Sequence, residues 1–297
     1  MFRKRGTQIH KVTGVLVGAG ACIILIWYIQ SHTLAFSKLK NVSLIDVAIV
    51  NLLYVASILA LAMNLNEVTR FAGKRIALYE ALLVTIYSSW ANYLIPCQSG
   101  PGFRAVYLKA RHGVPVKVVM LGTFAYLLWL AAISTCMVLY ASFTSGGRGA
   151  LLVAVAILIV VSVTIARHKA GTAIQMKERF AAHIRLVVAT GVLTLVQLFL
   201  IGVIYYVELT AIDTQISIAQ TAGYAGIANL SLLVAITPGA IGIREAFLAI
   251  SQGIHNIPVE TIAAASAVDR ASYLVLLAEM SIFIVLSHAK HQFRLGE

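Results

Sequence analysis

Two stretches of the chain spell one pattern. The first is Pro96-Cys97-Gln98-Ser99-Gly100-Pro101-Gly102-Phe103-Arg104-Ala105-Val106-Tyr107-Leu108, the second Pro238-Gly239-Ala240-Ile241-Gly242-Ile243-Arg244-Glu245-Ala246-Phe247-Leu248. Each is a proline and glycines, then Gly-apolar-Arg-x-apolar-aromatic-Leu. Each follows one long apolar run and precedes another, a setting in which arginine is expensive. Working outward, Val114-Pro115-Val116 and Ile257-Pro258-Val259 open the helices that follow the two stretches, with proline tolerated in a first turn. Asn92 and Asn229 stand shortly before the two motif prolines. The pattern reads as a divergent internal duplication.

Composition supplies the solvent. The 297 residues are 60% hydrophobic and 11% charged, with a mean hydropathy of +0.89. Soluble domains carry about 25% charged residues, so much of this surface must face lipid. Apolar runs occupy about 12–29, 46–63, 76–95, 117–143, 150–165, 186–207, 218–236 and 258–287. A ~30 Å hydrocarbon layer takes about 20 helical residues, and backbone in lipid must satisfy its own hydrogen bonds. The expected fold is therefore an all-α polytopic membrane protein. It has about eight transmembrane helices and two Gly/Pro-broken re-entrant or half-helix segments, at about 96–112 and 237–256. The first run follows Arg3, Lys4, Arg5 and Lys11 like a signal peptide. It is longer than an apolar signal core and has no small-x-small cleavage site, so it reads as a retained helix. The whole of 1–297 reads as a single transmembrane domain, its longest polar loop at about 166–185.

The net charge of +12 raises the possibility of nucleic acid. The basic residues sit in short clusters between apolar runs, with no interleaved stacking aromatics, which excludes it. The positive-inside rule accounts for them better. If only the eight runs cross, the lysines and arginines outside the membrane divide ten against ten. If each Gly-Arg stretch also changes sides, seventeen lie inside and three outside, with Arg104, Arg244 and Arg270 within the membrane. The second arrangement is preferred and places both termini in the cytoplasm. It makes the two stretches inverted repeats. Gly102 to His112 rises only about 16 Å as helix, so this segment is a half-crossing. Gly/Pro-interrupted segments in corresponding places of two inverted halves point to a transporter site at the midplane.

Arg104, Arg244, Asp269 and Arg270 are the intramembrane charges, each costing about 2.5–3.5 kcal/mol on insertion scales. Asp269 and Arg270 are adjacent on a helix and point apart, so Asp269 is placed to reach Arg104 or Arg244. Sequence leaves open whether these charges form a structural network or a site for an anion. Arginine's planar fork matches phosphate, and Pro96, Gly100, Gly102, Pro238, Gly239 and Gly242 would supply close backbone approach and hinges. Glu245 is placed to position Arg244 or to take protons, although Ala105 stands at the matching place of the first copy. Glu80 and Glu279 read as solvated or snorkelling as readily as functional. Glu208 and Asp213 read as isolated residues of an outer loop. Trp27, Tyr28, Trp90, Tyr93, Tyr140, Tyr205 and Tyr206 sit at run ends, as interfacial aromatics do. The eight histidines fall mostly in loops and form no ligand set. Cys22, Cys97 and Cys136 have no ligand or disulfide spacing. There is no Walker loop and no nucleophile elbow, so no catalytic residue, cofactor or metal is expected.

Pro238-Gly239-Ala240-Ile241-Gly242-Ile243-Arg244-Glu245, before an Ala-rich helix with Arg270 and Tyr273, resembles the transmembrane domain of the lysylphosphatidylglycerol synthase family. That family's late motif looks like Pro-Gly-Gly-x-Gly-x-x-Glu, and its early Gly-rich stretch ends in Arg, as Gly100-Pro101-Gly102-Phe103-Arg104 does. Ala240 stands for a usual glycine, and an acid often present in the early motif is missing. The resemblance implies a bacterial inner-membrane protein, in a family whose full-length members are thought to translocate aminoacylated phospholipid made by a separate soluble domain. No such domain follows here before Glu297, so a stand-alone member is expected. The leading expectation is a flippase or transporter holding the anionic head group of a phospholipid or lipid-linked phosphate between Arg104 and Arg244, with Asp269 and Arg270 lining the cavity. The alternatives are a membrane enzyme transferring a head group or sugar onto a lipid phosphate, and a scaffold recruiting a soluble synthase at the Arg167–Arg185 loop.

Overall fold

The computed structural model describes residues 42–96, 98–144, 180–234 and 236–294, and the side chains of these except 180–183 and 284–294. The runs at 12–29 and 150–165, with most of the 166–185 loop, lie outside the described residues. The elements are α1 (Leu44–Phe71), α2 (Leu78–Leu94), α3 (Ser99–His112), α4 (Val116–Thr144), α5 (Phe180–Ile212), α6 (Ile218–Ser231), α7 (Ile243–Ile250), α8 (Gln252–His255) and α9 (Val259–Arg294). Short 3-10 turns at Leu232–Val234 and Pro238–Ala240 lie between α6 and α7. The protein is an all-α polytopic membrane protein.

Among the described residues four helices are long and apolar enough to cross a membrane: Leu44–Phe71, Val116–Thr144, Ile184–Ile212 and Val259–Phe283. Large apolar side chains on them, such as Leu52, Phe199 and Phe283, stand exposed for lipid to cover. Ser43 opens α1 with a capping box: its Oγ accepts from the Asp46 amide, and Asp46 Oδ2 accepts from the Ser43 amide, both at 3.1 Å. Ser217 and Gln220 open α6 in the same way. α9 has 36 residues, about 54 Å of helix, and so extends well past the hydrocarbon.

The runs at 76–95 and 218–236, read as full crossings, form helices of 17 and 14 residues, about 26 and 21 Å long. Each stops short because the Gly/Pro stretch turns the chain back. α2 and α3 form an antiparallel hairpin. At its tip Ser99 Oγ donates to Ala91 O (2.7 Å) and the Gly100 amide to Asn92 Oδ1 (2.7 Å). A Cβ on Gly100 would come within 2.6 Å of Ser88 O, so glycine is what lets the two arms close. At its base Glu80 Oε1 accepts from Tyr107 Oη (2.9 Å) and lies 2.7 Å from His112 Nε2 and 3.3 Å from Arg111 Nε. Glu80 is thus a staple between arms and not a snorkelling acid. Gly113, at φ 65°, ends α3, with its amide on Lys109 O and that of Val114 on Leu108 O.

α6, α7 and α8 form the second hairpin. Gln220 Nε2 donates to Asn256 O (3.3 Å), and Gly223 abuts His255, so the chain returns to the end at which α6 began. Gly226 seats α6 on α4, since a Cβ there would come within 2.5 Å of Ser134 O; small residues give this close approach in membranes.

The two hairpins enter from opposite ends of α1. Ala62 and Leu65, toward its C-terminus, pack with Ile76, Ala81, Leu108, Val114 and Val119 of the first hairpin's base and the start of α4. Val42, just before its N-terminus, packs with Ile212, Ile216 and Ile257 around the second base. The tips meet between: the Gln98 side-chain amide donates to Leu232 O, and Gly239 faces the Tyr93 ring. The repeat is inverted, and Arg70, Lys74, Arg75, Lys109, Arg111 and Lys117 gather around the first base, as the seventeen-to-three division requires. In a Cys-free background, Lys74→Cys and Lys109→Cys should react with a membrane-impermeant thiol reagent from one side of sealed vesicles. Gln215→Cys should react only from the other side.

Candidate functional site

The intramembrane charges resolve into two unlike sites. In the first, consecutive residues of α7 meet consecutive residues of α9. Arg244 Nη2 lies 2.5 Å from Asp269 Oδ2, both side chains being nearly enclosed. Arg270 Nη2 and Nε donate to Glu245 Oε1 at 2.7 and 3.1 Å. Adjacent helical residues point apart, so two pairs in register lock the helices together against rotation. Arg270 also donates to the carbonyls of Gly239 (2.9 Å) and Ala240 (3.5 Å), while Glu245 Oε2 accepts the Gly242 amide (2.9 Å). Gly239 (φ 58°), Ala240 (φ 54°) and Gly242 (φ 82°) all have left-handed backbone. Glycine adopts it freely, whereas Ala240 carries a cost of about 1 kcal/mol, held in place by the Arg270 clamp.

Around the first pair, Tyr54 Oη donates to Asp269 Oδ1, and Arg244 Nη1 donates to Tyr205 Oη (3.3 Å). The Arg244 contact with Asp269 is too poorly aligned for a hydrogen bond, and Arg244 Nε has no acceptor. Glu208 lies within this cluster, 2% exposed, with neither carboxyl oxygen hydrogen-bonded. It is not the isolated outer-loop residue expected: the apolar pattern continues through Leu209, Ala211 and Ile212, and α5 carries Glu208 into the core.

The second site is a cleft against α3. It is lined by Arg104 with Leu61, Asn64, Leu65 and Val68 of α1 and Val119, Gly122, Thr123 and Tyr126 of α4. Arg104 forms no ion pair among the described residues, and its Nε is enclosed without an acceptor. Asn64, 5% exposed, also leaves its Nδ2 unpaired. Arg244 does not line this cleft, so the two arginines of the repeat do not converge on one pocket. Register explains the difference: Arg244 is in the first turn of α7, whereas Arg104 is more than a turn into α3. Of the expected backbone positions, Pro96 lies in the exposed turn and Gly100 packs on α2. Gly102 is helical with open space beside it, Pro238 opens a 3-10 turn, and Gly239 and Gly242 shape the second tip.

Other expectations are corrected by packing. Trp90 donates to Ser281 Oγ (2.9 Å), Tyr93 stacks on Tyr273, and Tyr205 packs edge-on to Tyr224, so these three are interior; Tyr140 and Tyr206 are exposed. Glu279 is exposed, in keeping with a solvated acid, and accepts from Asn51 Nδ2 (2.8 Å). His255 is fully buried: its Nε2 lies 3.0 Å from Leu248 O, and Nδ1 accepts the Ile257 amide at 3.1 Å. Sequence singled out neither Asn64 nor Tyr126. Both sit inside apolar runs, where a lone amide or phenol is the available signal.

A family model described as the lysylphosphatidylglycerol synthase TM region matches residues 11–278. The chain belongs to that family. No curated protein matches it.

Removing one partner of a buried ion pair strands a charge, at about 3–5 kcal/mol. Arg244→Gln should therefore lower thermal stability in detergent sharply. Arg244→Gln with Asp269→Asn should recover most of that loss, because no uncompensated carboxylate remains at Asp269.

Proposed function

We propose that the protein moves an anionic lipid across the membrane and takes its phosphate head group at the Arg104 cleft. The observation that carries this reading is the unpaired guanidinium. A cation held among apolar helices needs a counter-charge, and the carboxylates of the described core are engaged elsewhere. Glu245 and Asp269 are bound to Arg270 and Arg244, and Glu208 does not line the cleft. An incoming phosphate would supply the missing charge and accept from Arg104 and from the free Asn64 amide. The inverted hairpins support the same reading, since two elements entering from opposite ends and touching at their tips are suited to alternating access.

The ligand class is an anionic phospholipid or a lipid-linked phosphate, and the membrane is the bacterial inner membrane with both termini cytoplasmic. An enzyme would need a base beside the bound phosphate, and among the described residues no carboxyl or histidine lines this cleft. A soluble synthase docked at Arg167–Arg185 would fit a scaffold role alongside transport.

Proteoliposomes containing fluorescent phosphatidylglycerol test the reading. Wild-type protein should speed the exchange of label between leaflets over empty vesicles. Arg104→Ala should slow it by about ten- to a hundredfold, the worth of a charge-assisted contact of roughly 1.5–3 kcal/mol, with unfolding temperature held or raised. Equal exchange with wild-type and empty vesicles would overturn it.

A further inference from the structure

We propose that Glu208 is a proton-binding site that competes with Asp269 for Arg244, so that one proton is carried per lipid moved. This rests on the transport reading above and adds its energy source. Among the described residues the α5–α7–α9 cluster holds two cations, Arg244 and Arg270, and three acids, Glu208, Glu245 and Asp269. Two acids are matched by ion pairs and the third is not. Both oxygens of Glu208 are enclosed without a hydrogen-bond partner, and a bare carboxylate in that position is far more costly than a neutral acid. One proton balances the cluster.

The charged and titratable groups near enough to act electrostatically on Glu208 are Asp269 of α9, Arg244 of α7, Tyr54 of α1, Tyr205 of its own helix and Tyr224 of α6. Arg244 is the cation among them, and it keeps a spare Nε donor. Arg244 pairs with Asp269, and Glu208, a turn along α5 from the Tyr205 that Arg244 binds, is a second carboxyl beside the same cation, so one of the two must be neutral. In the arrangement observed, Arg244 pairs with Asp269 and Glu208 holds the proton. In the alternative, the O–H bond at Glu208 breaks, its carboxylate takes the guanidinium, and the proton forms an O–H bond at Asp269. The cluster's charge is the same before and after, so the exchange requires no buried charge to be created.

Position gives the exchange a direction. Glu208 lies one turn from the end of α5, beside the base of the second hairpin, whereas Asp269 lies nearly three turns into α9. Arg244 is on α7, directly behind the tip that touches the first hairpin through Leu232 and Tyr93. Exchange of its partner would therefore shift the contact between the two hairpins.

The test uses the same proteoliposomes with fluorescent phosphatidylglycerol and an imposed pH difference. With one proton per lipid, each pH unit should sustain up to about a tenfold difference in label between leaflets. Glu208→Gln should leave the distribution flat while still exchanging label, and Glu208→Asp should retain the response. The infrared spectrum of wild-type protein at neutral pH should show a protonated-carboxyl stretch that Glu208→Gln removes. Exchange with a flat distribution in wild type, absence of that band, or a response to a sodium gradient in place of a pH gradient would each overturn the proposal and leave the transport reading standing. No exchange by wild-type protein would overturn both.

Discussion

Two ion pairs in register, Arg244 with Asp269 and Glu245 with Arg270, fix the geometry on which the rest of the protein depends. The membrane sets the terms: a charge in hydrocarbon is tolerated when it is paired, and a non-helical backbone when its polar groups are satisfied. The second hairpin breaks its helix between α6 and α7 and so exposes carbonyls and amides at depth. Arg270 covers two of those carbonyls and Glu245 one amide, so the charges meet the backbone's demand while neutralising each other. The first hairpin meets the same demand without charge, through Asn92 and Ser99 at the tip, and keeps its ion-pairing acid, Glu80, at the base. The duplicated halves have therefore solved one problem in two ways.

That divergence gives the two arginines different work. Arg244 holds the fold, buried beside its acid. Arg104 forms no ion pair among the described residues, and it projects into a cleft of its own. A symmetric clamp of two arginines on one phosphate, the arrangement the repeat invites one to expect, is not what the helices build. An asymmetric machine is: one half carries the unpaired cation, the other a charge cluster with one acid too many.

Much of this was legible before any coordinates. Lipid as solvent follows from composition, and the inversion of the repeat follows from where lysines and arginines can sit. The proline and glycine spelling located both tips within a few residues. What was not legible was partner choice. Sequence showed that Asp269 could reach an arginine, but Arg104 and Arg244 differ only in how far each lies along its helix, a distance set by where α3 and α7 begin. Glu208 was lost for a different reason. An apolar run is closed at the first charge, and here the helix continued for four residues beyond it. Glu80 and His255 are hidden likewise, because hydropathy reads a polar residue near a run's end as solvated, whereas Glu80 is held by the facing arm of its hairpin and His255 by Leu248 O and the Ile257 amide of its own arm.

The meeting of the tips gives these parts a common consequence. Gln98 binds a carbonyl of the opposite hairpin, and Tyr93 lies between Gly239 and Tyr273. Tyr273 is one turn beyond Asp269 and packs edge-on to Tyr54, which itself donates to Asp269. A continuous set of contacts thus runs from the charge cluster, through three tyrosines, to α2 of the hairpin whose other arm carries Arg104. Physical contiguity alone is no proof of coupling. It does mean that α7 cannot shift relative to α9 without disturbing the ring stack against which the first hairpin rests. A fold that places the enclosed, unpaired Arg104 in one half and the unmatched Glu208 in the other, and joins the halves through packed rings, has the parts needed for an ion on one side to bias a ligand on the other.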